Sequence, residues 1–140
     1  MSAENAGLLW RQTHAGEVKA LPLHRFLGLR LREEAEPAAG VTLAVAEASS
    51  ATTGLHGGVL GVVLDVAATL ALMPLLSVHE VPVTIAETVA LISGAGLGDR
   101  IDVEGRVLRR SRHVALLSAV ARRGDELIAE AQITKSIKSW

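Results

Sequence analysis

Between residues 55 and 78 the chain carries a single charged side chain, Asp65, in a run that after His56 is otherwise apolar or small. From Val59 onward apolar residues fall on every side of a helix, so the pattern predicts a buried helix over about residues 57–73. Around it the period changes to two. Leu27, Leu29 and Leu31 alternate with Gly28, Arg30 and Arg32, predicting a first strand over 26–34. After a turn at Pro37 to Gly40, a second strand is expected at Val41, Leu43 and Val45. Beyond Pro74, residues 81–92 predict a third strand. Val83, Ile85, Val89 and Leu91 should share one face with Glu87, and Thr84, Ala86, Thr88 and Ala90 the other. Ile101, Val103 and Val107 mark a fourth strand, and residues 113–121 a nearly all-apolar fifth. Leu127, Ala129, Ala131 and Ile133, alternating up to Thr134, mark the last. Arg123-Gly124-Asp125 reads as the hairpin turn before it, not as an adhesion tripeptide. Residues 3–20 predict an amphipathic helix stopped by Pro22. Helix, two strands, buried helix and four strands give a single α+β domain with an antiparallel sheet and segregated helices.

Composition narrows the function classes. At 140 residues the chain is long enough for one proper core, and Trp10, Phe26 and Trp140 are its only aromatic residues, so that core is aliphatic. A net charge of −1 and the near absence of stacking side chains give no support to nucleic-acid binding. Without cysteine there is no disulfide or thiolate chemistry, and no basic segment followed by an apolar core opens the chain, so the cytoplasm is expected. The apolar run could span a bilayer by length, but Asp65 near its middle would cost roughly 2.5–3.5 kcal/mol on insertion, so no membrane partner is expected. His14, His24, His56, His79 and His113 lack paired spacing, there is no Gly-x-Ser-x-Gly elbow, and no phosphate-binding loop is present.

The chemistry concentrates on the apolar helix. Gly57-Gly58 at its start lets backbone amides approach a ligand, and the unpaired first-turn N–H groups make an anion or oxyanion site. Asp65 lies eight residues further on, about 12 Å along the axis. For carboxylate and amides to act on one carbonyl, they must come from different subunits of a symmetric dimer. Asp65 itself is either a nucleophile or general base, or a structural carboxylate paired within the core.

His56-Gly57-Gly58 followed by Asp65 nine positions after the histidine, on an apolar helix with four strands behind it, resembles the hotdog-fold acyl-CoA thioesterases of the phenylacetate-pathway (PaaI-like) branch. The resemblance runs from about residue 26 to 137. It implies a curved antiparallel sheet wrapped around the helix, and hydrolysis of an acyl-CoA thioester to a carboxylic acid and coenzyme A. It further implies a homodimer that pairs into a homotetramer, and no cofactor, coenzyme A entering as part of the substrate. By the resemblance, Asp65 is nucleophile or base and the Gly57 amide, beside Gly58, the oxyanion donor. His56 either positions the thioester or leaving thiolate, or is a local hydrogen-bonding residue at the helix start. Thr69, one turn after Asp65, and Thr84, early in the third strand, are hydroxyls that could hold a water; Thr69 could equally bond back to its own helix. Ser50 stands where these thioesterases usually place Asn or Gln, and a hydroxyl reaches less far than an amide. Arg109, Arg110 and Arg112, beside Ser111 and His113, form a basic turn that could meet coenzyme A phosphates or simply face water. Glu87 is an interface ion-pair residue, a second acid near the site, or a sheet-edge residue in water. A non-catalytic acyl-CoA binder and a hydratase or dehydratase on the same scaffold are the competing functions.

Overall fold

The computed structural model describes residues 21–139. The amphipathic segment expected at 3–20 lies outside them. The described chain opens with helix α1 (Pro22–Leu27), strand β1 (Arg30–Leu31) and strand β2 (Val41–Ala44). A short antiparallel pair, β3 (Ser50–Ala51) and β4 (Gly54–Leu55), leads into the long helix α2 (Gly57–Leu72). Four long strands complete it: β5 (Glu80–Leu91), β6 (Arg100–Arg110), β7 (Val114–Arg123) and β8 (Glu126–Ser139). Every pairing in the main sheet is antiparallel, in the order β1-β2-β6-β7-β8-β5. The sheet curves around α2, which is the hotdog fold.

The expected first strand over 26–34 is corrected. Pro22 opens α1 at its first turn, where its fixed φ suits a helix and its missing N–H is not needed. Gly28 closes it with φ 72°, and the amides of Gly28 and Leu29 bond back to Arg25 and His24, so only Arg30 and Leu31 pair as a strand. The alternation in sequence was real as burial, because Leu27, Leu29 and Leu31 are all buried. The helix end simply places them there without an extended backbone.

The core lies between α2 and the inner face of the sheet. Val63, Leu64, Ala67, Ala68, Leu70 and Leu72 meet Val41, Leu43, Ile101, Val103, Ala115, Leu117 and Ile133. Helix and sheet approach tightly at Gly105 of β6, where an added Cβ would sit 2.4 Å from the carbonyl oxygen of Ala67. Only a residue without a side chain admits that approach. Residues Gly57–Leu75 are long and apolar enough to cross a membrane, with mean hydropathy 2.0, yet half of that stretch is buried inside the protein's own fold.

Three strands carry an irregular register, at Thr84/Ala86, Val107/Arg109 and Ala121/Arg122. Such bulges bend a strand and shift which side chains face inward. In β5 the shift decides the site. Thr84 lies opposite buried Lys135, Ile85 is the extra residue, and Glu87 then lies opposite buried Ile133. Thr84 and Glu87 therefore share the face toward α2, which corrects the strict alternation that set them on opposite faces.

Candidate active site

The site is built along one flank of α2, where β5 runs antiparallel to it. A Cβ on Gly57 would meet Leu91, and one on Gly61 would lie 3.9 Å from Val89 and 4.0 Å from the Glu87 carboxylate. One turn further, Thr84 Oγ1 donates to Asp65 Oδ1 at 2.7 Å. Helix and strand thus place the amide end, Glu87 and Asp65 in sequence along a single groove.

At the amide end His56 is the N-cap of α2, its Nδ1 accepting from the Gly58 amide at 2.9 Å. A ring accepting at Nδ1 carries a proton on Nε2, which leaves that edge of an exposed residue as a donor. A Cβ on Gly58 would press the imidazole at 3.1 Å, so this cap needs glycine or a small shift of the ring. The Gly57 amide has no hydrogen-bond acceptor among the described residues. Of the two glycines expected to form an oxyanion site, Gly57 keeps its N–H free and Gly58 spends its own on the cap.

Asp65 is neither isolated nor simply buried. Lys135 Nζ lies 2.9 Å from its Oδ1 and 2.6 Å from Thr84 Oγ1, closing a three-membered ring of hydrogen bonds with Thr84. The Lys135 side chain is 3% exposed and that of Asp65 31%. A lysine so buried must find a carboxylate, and here it does. Both donors take Oδ1, and Oδ2 accepts no hydrogen bond among the described residues. Glu87 is held above the usual carboxylate range, first by desolvation and then by the negative charge of Asp65, with Lys135 pulling the other way.

Sequence reasoning missed Lys135. The last strand was expected to end at Thr134, whereas β8 runs on to Ser139 and Lys135 continues the inward row Ala129, Ala131, Ile133, Lys135, Ile137. A lysine in phase with an apolar period-two row was the available signal.

The remaining expected residues are placed as follows. Thr69 Oγ1 donates to the Asp65 backbone carbonyl at 2.9 Å, the back-bonded alternative. Thr84 gives its proton to Asp65 and keeps acceptor capacity only. Ser50 Oγ donates to the carbonyl of Ala46 at 2.7 Å, so its hydroxyl is tied to its own loop. At the β6–β7 turn Arg109 and Arg112 are exposed, while Arg110 faces inward after the bulge and is ion-paired with Glu80 across the sheet. The Glu80 carboxyl lies below its usual range, chiefly through the backbone amide of Ser77, with Arg110 adding to it. The basic turn thus offers two free guanidinium groups instead of three.

Residues 54–130 match the family model of the thioesterase superfamily. No curated protein sequence matches the chain. Among solved structures it is similar to a thioesterase family protein from Silicibacter pomeroyi, with TM-score 0.81, 22% identity, and 94% of this chain and 99% of that one covered. It is similar to a thioesterase from Haemophilus influenzae, with TM-score 0.76, 14% identity and coverage of 99% and 92%. A protein from Streptococcus mutans solved with acetyl-CoA bound aligns with TM-score 0.63 at 21% identity, over 71% and 79% of the two chains. The family match spans the free Gly57 amide, Asp65, Thr84 and Glu87, the groove's α2 and β5 components, and by that match the chain belongs to the thioesterase superfamily.

Proposed function

We propose that this protein hydrolyses an acyl-CoA thioester, in the manner of the PaaI-like branch, as a homodimer whose sites each take Asp65 from one copy and the Gly57 amide from the other. The observation that carries the reading is Asp65 held at Oδ1 with Oδ2 open, on the same helix as an unpaired Gly57 amide. Within one chain the two lie about 12 Å apart along the axis, too far to serve one carbonyl. The groove flank supports a second copy. β5 is a sheet edge twelve residues long, mostly exposed, with Val83, Ile85 and Leu91 uncovered. Long apolar edges of that kind are normally paired or covered.

In this reading the thioester carbonyl oxygen accepts from the Gly57 amide as negative charge develops on it. Asp65 Oδ2 either takes a proton from water as water attacks, or attacks the carbonyl itself to form an anhydride that water then opens. Either way the C–S bond breaks, the thiolate takes a proton to leave as free coenzyme A, and the acyl group leaves as the carboxylic acid. His56, with Nε2–H outward beside the amide, is suited to the departing sulfur. Arg109 and Arg112 suit the coenzyme A phosphates by their planar forks of donors. Pairing of dimers into a tetramer and a cytoplasmic site of action belong to the same proposal. The relative solved with acetyl-CoA supports this class of ligand.

The test is release of free thiol from short, medium, aryl and long acyl-CoA thioesters, with wild type beside Asp65→Asn. Turnover is expected in wild type and a loss of about 10²–10⁴-fold in the variant. A second reading, an acyl-CoA binder without turnover, is favoured by Ser50, whose only proton is used within its loop. Tight binding with no thiol release from any thioester would establish it. Because Glu87 brings a second carboxylate to the groove, hydration of an enoyl-CoA is measured in the same series.

A further inference from the structure

Lys135 stands out among the charged groups of the fold. It is the buried cation of the described residues, placed on an otherwise apolar row of β8, and it is turned toward the one carboxylate of α2. Its ammonium meets Asp65 Oδ1 and Thr84 Oγ1 together, while Thr84 in turn donates to that same Oδ1. A salt bridge kept only for stability has no need to load both donors on one oxygen. This arrangement fixes the rotation of the carboxylate and leaves its other oxygen unoccupied.

We propose that Lys135 is a positioning residue for the reaction of Asp65: with Thr84 it clamps Oδ1 and presents Oδ2 as the oxygen that acts. The inference rests on the thioesterase reading and deepens it by assigning different tasks to the two carboxylate oxygens. Among the described residues no other cation is placed to take its part in the clamp. On the inner face β5 brings Glu87, with Glu80 further along, β8 brings Lys135, and β6 brings Arg110, already paired with Glu80. The inward residues of β7 over this stretch, Ala115, Leu117 and Ala119, carry no charge, nor does any other residue of α2. Without Lys135, Asp65 would therefore keep only the Thr84 hydroxyl on Oδ1, and its carboxylate would be free to turn.

Lys135→Met removes the charge while keeping an unbranched chain in the buried slot. We expect kcat to fall about 10- to 100-fold, as for a misplaced catalytic group, with KM changed less than about threefold. Lys135→Arg, which keeps a cationic donor there, should recover part of the lost kcat. Thr84→Val removes the other donor to Oδ1 and leaves Lys135 paired with Asp65, though without its Thr84 acceptor, and the same loss in kcat at preserved KM is expected, so the inference stays testable where a Lys135 variant fails to fold. If wild type turns over thioesters and Lys135→Met keeps its kcat, the lysine is structural and the inference fails while the thioesterase reading stands. If folded Thr84→Val keeps its kcat, the clamp on Oδ1 fails in the same way. If wild type releases no thiol from any thioester, reading and inference fall together.

Discussion

The two flanks of α2 are made by opposite means. Toward β6 and β7 the helix is closed: Val63, Leu64 and Ala67 have no exposure, and the helix backbone touches the sheet through Gly105. Toward β5 it is open: Gly57, Gly61 and Asp65, each four residues from the last, look across a groove at Leu91, Val89, Glu87 and Thr84. Burial of apolar area on the closed flank holds the helix in place. The small residues on the open flank leave room beside the strand, and the only charge the helix carries is set there. One helix thus anchors the fold on one side and offers chemistry on the other, and the two tasks should separate under mutation.

The largest effect is expected on the closed flank. In Gly105→Ala the new methyl meets backbone atoms, with the Ala67 carbonyl oxygen at 2.4 Å, and no flexible side chain can yield. Helix and sheet must part, at a cost of about 1–3 kcal/mol or more. Denaturant midpoints at constant m-value would measure it.

On the open flank the same chemical change should have the opposite sign. Gly61→Ala places its methyl 3.9 Å from Val89, an ordinary contact, and alanine is favoured over glycine inside a helix by about 0.8–1.0 kcal/mol. We expect equal or greater stability, measured by the same midpoints. Comparable losses at Gly61 and Gly105 would mean that the groove is as tightly closed as the core, and the contrast between flanks would be wrong.

The closed flank was far more legible in the sequence than the open one. Period-two rows located β5, β6 and β8, a short nearly all-apolar run β7, and the long all-apolar run α2, because burial is regular wherever helix and sheet meet over their whole length. The Asp65 position and the glycines before it were legible for a related reason: a lone charge and a Gly-Gly pair interrupt such a run. What failed was geometry that local pattern does not encode. Leu27, Leu29 and Leu31 alternate as a strand does, yet Gly28 in the left-handed region turns the chain out of a helix between them. The extra residue at Ile85 inverts the faces of Thr84 and Glu87, and only the register with β8 reveals it. Lys135 escapes because the pattern ends the strand at Thr134, one residue before it and five before the observed end. Which cation meets Asp65 depends on β8 lying beside β5, seventy residues from the helix position it serves.

The smallest effect sharpens the comparison most, because it asks whether the open flank holds one acting carboxylate or two. Glu87 is held above the usual carboxylate range, so its proton is bound more tightly in the folded chain than in the unfolded one. The sign follows by linkage: the stabilisation is complete below the unfolded value, near pH 4.3, and is lost as pH rises through the higher folded value. At neutral pH the ionised Glu87 is therefore a cost, from desolvation first and from Asp65 second. Glu87→Gln should raise stability at pH 7, by less than about 0.5 kcal/mol once solvent screening of this exposed group is counted. The advantage should shrink as pH falls toward 4. Thermal melts of both proteins across pH 4–8 test it. In Lys135→Met the gain from Glu87→Gln at neutral pH should grow, since the cation opposing the rise is gone and Asp65 is left facing Glu87 alone. A gain that is the same at every pH, with or without Lys135, would remove Glu87 from the field of Asp65 and leave the open flank with a single working acid.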